Sequence, residues 1–108
     1  MMSSQENPYA GQGAVLLDIG GGVGALVVTM PASLAGAEIE ARHVPDHGGH
    51  LSHVEVLRRP SPAGAVCSAV FGELEAGTYE LYQRPAGPVR VRATVTGGRV
   101  TQTTWPNT

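Results

Sequence analysis

Glycine and proline punctuate this chain more than anything else in it. Fifteen glycines and eight prolines are spread over 108 residues, and turn signals recur about every 8–12 residues. In a helix interior a glycine costs about 1 kcal/mol relative to alanine and a proline about 3. Long helices are therefore excluded, and short extended segments joined by turns remain. The length supports one hydrophobic core and is too short for two.

The segments between turn signals predict strands near residues 13–19, 24–30, 37–43, 51–58, 64–71, 78–84, 88–96 and 99–105. Residues 1–12 are too polar to offset the entropy of ordering and read as a flexible tail, which leaves 13–108 as the folded domain. A single helical turn or a loop is expected over residues 31–36. Residues 14–17 are apolar at every position, as in a strand buried on both faces. Val89, Val91, Ala93 and Val95 alternate with Arg90, Arg92, Thr94 and Thr96, the period of a strand with one face in the core. Gly97-Gly98 then predicts a two-residue hairpin turn, with residues 99–103 returning antiparallel. Taken together, the pattern predicts a single all-β domain, a Greek-key β-sandwich of seven or eight strands, immunoglobulin-like or, as the resemblance given below implies, prealbumin-like.

Several residues receive structural roles within that sandwich. Leu74, Gly77 and Tyr79 have the spacing of a tyrosine corner, in which the hydroxyl bonds back to nearby backbone. Aromatic residues are few, so the core must be built from Val, Leu, Ile and Ala, and Trp105 is expected to plug one edge. Cys67, the single cysteine, lies in a small-residue strand and reads as a buried, inert thiol. The triple glycine Gly20-Gly21-Gly22 suits a tight turn, with Asp18 accepting backbone hydrogen bonds.

Charge and composition remove whole classes of function. The formal net charge is −2, and all seven basic residues are scattered arginines, so there is no basic field for nucleic acid. Without lysine there is no Schiff-base chemistry and no P-loop lysine. One cysteine excludes an intramolecular disulfide and any multi-cysteine metal site. The polar N-terminus lacks the features of a signal peptide. Residues 14–30, the longest apolar run, are broken by Asp18 and the glycines, so no membrane span is expected. The chain reads as cytoplasmic. Abundant Ala, Gly, Val, Arg and Pro match the coding bias of a high-GC bacterium.

All four histidines, His43, His47, His50 and His53, fall in one eleven-residue window. Imidazole suits Zn, Cu and Ni, and Asp46 adds a carboxylate. Pro45 and Gly48-Gly49 forbid a helix there, so the window is expected to be a turn between two strands. His43 and His53 would stand at its base, with His47 and His50 in the loop. A polar turn whose histidines merely titrate is the plainer reading. Protonating all four would change the formal charge from −2 to +2. His53 and Glu55, two apart, should share one strand face, either as an acid–base pair or as a surface pair opposite Val54 and Val56.

The run Phe71-Gly72-Glu73-Leu74-Glu75-Ala76-Gly77-Thr78-Tyr79-Glu80-Leu81 resembles the signature of prealbumin-like and carboxypeptidase-regulatory-like sandwiches, which implies a fold and not a function. Over most of its length the chain also resembles an actinobacterial family of about a hundred residues and unknown function. The pieces carrying that likeness are Val15-Leu16-Leu17-Asp18-Ile19-Gly20-Gly21, Gly24-Ala25-Leu26-Val27, Glu38-Ile39-Glu40, His53-Val54-Glu55-Val56, Arg58, the run just quoted, and Gly97-Gly98-Arg99-Val100-Thr101 through to Trp105. Some members of that family carry an automatic phospholipase label. No Gly-x-Ser-x-Gly elbow is present to support it, and Ser33, Ser52, Ser61 and Ser68 lack a nucleophile's surroundings. His43-Val44-Pro45-Asp46 is similar to a motif of hydroxyisourate hydrolases but stands at the wrong place in the chain, and the end of the chain lacks that group's Tyr-Arg-Gly-Ser.

The reading favours a non-enzymatic binding or accessory module acting through a sheet face, an edge strand or the His-rich turn. Its partner would be another protein or a second copy, and residues 99–103 are the polar edge singled out for pairing. Transition-metal binding by His43, Asp46, His47, His50 and His53 is the alternative, and a small hydrolase comes third.

Overall fold

The computed structural model describes residues 19–45, 52–62 and 64–106. Among these are eight strands: β1 (Val23–Met30), β2 (Glu38–Val44), β3 (Ser52–Glu55), β4 (Leu57–Ser61), β5 (Gly64–Glu75), β6 (Gly77–Gln83), β7 (Val89–Val95) and β8 (Val100–Thr104). A 3-10 turn, Ala32–Leu34, is the helical turn expected between the first two strands. The strands form two four-stranded sheets, β4-β5-β1-β8 (sheet A) and β3-β2-β6-β7 (sheet B). The fold is a β-sandwich. Among the described residues no helix is long and apolar enough to cross a membrane. The tail expected over 1–12 and nearly all of the strand expected over 13–19 lie outside the described residues.

Alternation builds the core. Leu26, Val28 and Met30 of β1, with Ala69 and Phe71 of β5, face Ile39 and Ala41 of β2 and Tyr79 and Leu81 of β6. Val95 and Trp105 close the same cluster. Cys67 is buried within it, as expected for an inert thiol. Gly20 and Val23 exchange backbone hydrogen bonds of 2.9 and 3.0 Å, so the triple glycine does serve a tight turn leading into β1.

The turn after β7 departs from expectation. Gly97-Gly98 does not close a hairpin. Instead β8 leaves sheet B and pairs parallel with β1, from Ala25↔Val100 to Thr29↔Thr104. The backbone explains why. The Arg99 N–H donates to the Thr96 carbonyl, and of the two glycines only Gly98 has a positive φ, +74°. Positive φ at the third turn position alone is the type II pattern, whose twist splays the flanking strands instead of matching a hairpin. Gly97 serves another purpose: a Cβ there would strike the Gly21 carbonyl and lie 3.1 Å from the Gly22 Cα.

Two further differences follow from tertiary contacts. The strand expected over 51–58 is divided at Val56, where the chain passes from sheet B to sheet A. Val56 is buried, donates its N–H to the Ala37 carbonyl and accepts the Gly36 N–H, each at 2.8 Å. In β7, Ala93 and Val95 face the core as expected, but Val89 is 44% exposed. The β6–β7 ladder shifts register between Leu81↔Val91 and Tyr82↔Val89, and such a bulge re-aims the residues beyond it. Arg90, expected in water, sits with its guanidinium carbon 5.9 Å from the centre of the Trp105 ring.

The tyrosine corner is present. The buried Tyr79 donates its hydroxyl proton to the Glu75 carbonyl at 2.7 Å. Burial, followed by the Glu75 charge, raises the Tyr79 pKa above its ordinary value, which keeps the hydroxyl a donor. The His43 ring meets Tyr79 edge-on, with centroids 4.9 Å apart. Gly77 makes room for it: φ is +149°, and a Cβ there would collide with the imidazole.

Candidate functional site

The histidine window is opened out by the β2–β3 pairing. Glu40 lies opposite His53, and Ala41 opposite Ser52, so His53 shares the outer face of sheet B with Glu38 and Glu40. His43 follows Ile39 and Ala41 on the inner face. Its Nδ1 lies 3.2 Å from the Pro45 carbonyl and its Nε2 3.5 Å from that of Ala76. The two histidines at the base of the turn thus stand on opposite faces of one sheet and are not brought together. Asp46, His47 and His50 lie outside the described residues. Among the described residues no group of three or more His, Cys, Asp or Glu side chains is placed to hold a metal ion.

His53 and Glu55 do share the solvent face, with Val54 and Val56 turned inward, as the two-residue spacing requires. The partner that His53 finds is a different carboxylate: its Nδ1 lies 3.1 Å from Glu38 Oε1. Arg84 Nη1 reaches the same oxygen at 3.1 Å, and Arg84 Nε lies 3.3 Å from Glu40 Oε1.

These contacts belong to a lattice across the outer face of sheet B. In one row Arg42, Glu80 and Arg92 lie opposite one another on β2, β6 and β7. Arg42 donates to Glu80 at 2.8 Å and Arg92 at 3.1 Å. Those two donors hold the Glu80 carboxyl below its ordinary range. In the next row His53, Glu40 and Tyr82 lie opposite one another. The Glu40 side chain is only 7% exposed, an unusual burial for a carboxylate on an outer face. Tyr82 hydrogen-bonds to it, and the Arg42 guanidinium lies 5.4 Å from the centre of the Tyr82 ring. Burial first, then the Glu40 charge and hydrogen bond, push the Tyr82 hydroxyl up. That is the wrong direction for a nucleophile or base, and it keeps Tyr82 a hydrogen-bond donor. The lattice ties β3, β2, β6 and β7 together through mutual compensation. The alternation of Glu38, Glu40 and Arg42 is visible in the sequence, but their partners Glu80, Tyr82 and Arg84 depend on the β2–β6 register.

Sheet A presents the opposite chemistry. Across its outer face one row reads Leu57, Ser68, Thr29, Thr104 and the next Val70, Val27, Gln102. Neither row itself carries a charge, although Arg59 of β4 lies on the same face and donates its Nε–H to Ser68 Oγ at 2.9 Å, and Val27 and Ser68 are buried. At the end of these rows β8 forms the edge of the sheet among the described residues. The Ala25 N–H donates to the Arg99 carbonyl and the Trp105 N–H to the Thr29 carbonyl, so odd-numbered residues of this stretch direct their backbone groups at β1. Strand geometry then turns the N–H and C=O of Val100, Gln102 and Thr104 away from it.

The four edge strands are not alike. β4 holds Arg58, Arg59 and Pro60; β3 holds His53 and Glu55; β7 holds Arg90 and Arg92 and carries the bulge, at Arg90. Charge, proline and bulges are the devices by which natural sheets block pairing at an edge. β8, Val-Thr-Gln-Thr-Thr, has none of them, and its ladder with β1 runs without a register shift.

Comparison with protein-family models, with curated proteins and with solved structures finds no match.

Proposed function

We propose that this domain is a non-enzymatic binding module that takes up an extended protein strand at the edge of β8. The observation that carries the reading is the contrast among the edges of the described sheets: three of the four carry blocking features and β8 carries none. In strand addition, main-chain hydrogen bonds supply affinity and alternate side chains supply selectivity. The outward backbone groups of Val100, Gln102 and Thr104 offer the first. The exposed, uncharged side chains of Gln102 and Thr104 beside them offer the second, favouring strands whose alternate side chains are polar or hydroxylic. The charge lattice on sheet B joins its strands through ion pairs among its own side chains.

The test is selection of short extended peptides from a random library, with binding mapped by amide hydrogen exchange. Protection is expected at Val100, Gln102 and Thr104 on binding. Gln102→Pro removes an outward N–H without breaking a bond to β1 and should abolish that binding, with Gln102→Ala retaining it. Peptides that protect other amides, or that bind the proline variant equally, would refute the reading.

A further inference from the structure

We infer that the strand taken up at β8 is β8 of a second copy of this chain, paired antiparallel about a two-fold axis at Gln102. The inference rests on the strand-addition reading above and names its partner.

The register follows from which backbone groups are open. With Gln102 opposite Gln102, Val100 stands opposite Thr104 and Thr101 opposite Thr103. Every residue whose N–H and C=O point out of the sheet then meets another such residue, so each pair exchanges both of its backbone hydrogen bonds. A shift of the register by one residue would set outward groups against residues already bonded to β1. A shift by two residues also matches outward groups but pairs fewer of them within the strand, so the register centred on Gln102 keeps the most bonds, and it has the self-complementarity that a two-fold interface requires.

Side-chain chemistry separates β8 from the other edges. Thr101, whose hydroxyl donates to the Thr94 carbonyl, then stands opposite Thr103, and Val100 opposite Thr104, with no like charges facing across the ladder. The same operation on β7 sets arginines from Arg90 and Arg92 near one another, on β3 it doubles His53 and Glu55, and in β4 Pro60 has no N–H to give. Arg99, the charge closest to β8 in the chain, falls opposite Trp105 of the other copy. The two Arg99 residues are then about 20 Å apart along the ladder, beyond a Debye length of about 8 Å at physiological salt. Pairing also joins the uncharged rows of two copies, Val70-Val27-Gln102 meeting Gln102-Val27-Val70, into one eight-stranded sheet.

Sedimentation velocity of the full chain over a wide concentration range tests this, alongside Gln102→Arg and Gln102→Glu. The parent is expected to show a reversible monomer–dimer equilibrium. Each variant alone sets like charges face to face on the axis and should weaken self-association about fivefold or more. An equimolar mixture of the two sets Arg against Glu and should restore dimer, which a folding defect could not do. A parent that stays monomeric throughout, or a mixture no more dimeric than its components, overturns self-pairing. If that monomer still gains protection at Val100, Gln102 and Thr104 from a selected peptide, strand addition survives with a different partner. If those amides are already protected in dilute monomer, both proposals fall.

Discussion

Replacing Trp105 by alanine is the sharpest test of how this small-residue core is held. The side chain is 2% exposed, and it lies one residue beyond the last strand. An aromatic side chain buries about 150–250 Å², and at about 25 cal/mol per Å² that amounts to roughly 4–6 kcal/mol of transfer free energy. Measured losses for Phe or Trp to Ala in cores are about 3–5 kcal/mol. The lower end of that range is the conservative expectation. A domain of this size loses about 4–8 °C of melting temperature per kcal/mol, so Trp105→Ala should lower Tm by about 12 °C or more. Far-UV circular dichroism is the assay for the variant, since Trp105 is the only tryptophan; in the parent its fluorescence should shift to the red on unfolding. A chain ending at Thr104 should lose at least as much, because it also gives up the Trp105 N–H bond to Thr29. Trp105→Phe should fall between parent and alanine variant. An alanine variant melting within about 4 °C of the parent, less than about 1 kcal/mol, would refute the reasoning.

Two further outcomes are expected. Tyr79→Phe removes only the hydroxyl that bonds the Glu75 carbonyl, so it should cost about 1 kcal/mol, read by urea denaturation with an unchanged m-value. The Glu80 carboxyl should titrate below its ordinary value of 4.5 because Arg42 and Arg92 donate to it. A depressed folded-state pKa gives stability that is present above that value and is lost as pH falls through the folded-state pKa. Carboxyl NMR should therefore place its midpoint under 4.5 in the parent, and Arg42→Gln with Arg92→Gln should move it upward. An unmoved midpoint would show that the two guanidiniums do not act on Glu80.

Much of the fold was legible because strands and turns are written locally. Periods of two residues, closed by glycine and proline, placed most of the strands within a residue or so of where they lie. The Leu74, Gly77, Tyr79 spacing located the tyrosine corner for the same reason, since its hydrogen bond spans four residues. The hairpin expected at Gly97-Gly98 shows where local reading stops. Both hairpin and crossover turns use glycine, and the difference between them is the sign of φ at Gly97, a residue whose backbone also packs too closely against Gly21 and Gly22 for any side chain. The histidine window shows the same limit. Its density in the sequence suggested convergence, yet the pairing of Glu40 with His53 puts His43 and His53 on opposite faces.

What the sequence alone determined was the class of structure: a chain this rich in glycine and proline, with alternating apolar residues and no long unbroken segment, has only strands and turns available. Tertiary structure decided which strands are neighbours. That assignment is non-local, because it depends on how two sheets bury Val56, Phe71 and Trp105 together. It placed Glu40 beneath Arg84 and Tyr82, and it made Val-Thr-Gln-Thr-Thr an edge instead of the second arm of a hairpin. An uncharged strand is unremarkable in the middle of a sheet, but at the edge of the described strands its outward N–H and C=O groups point away from every described neighbour.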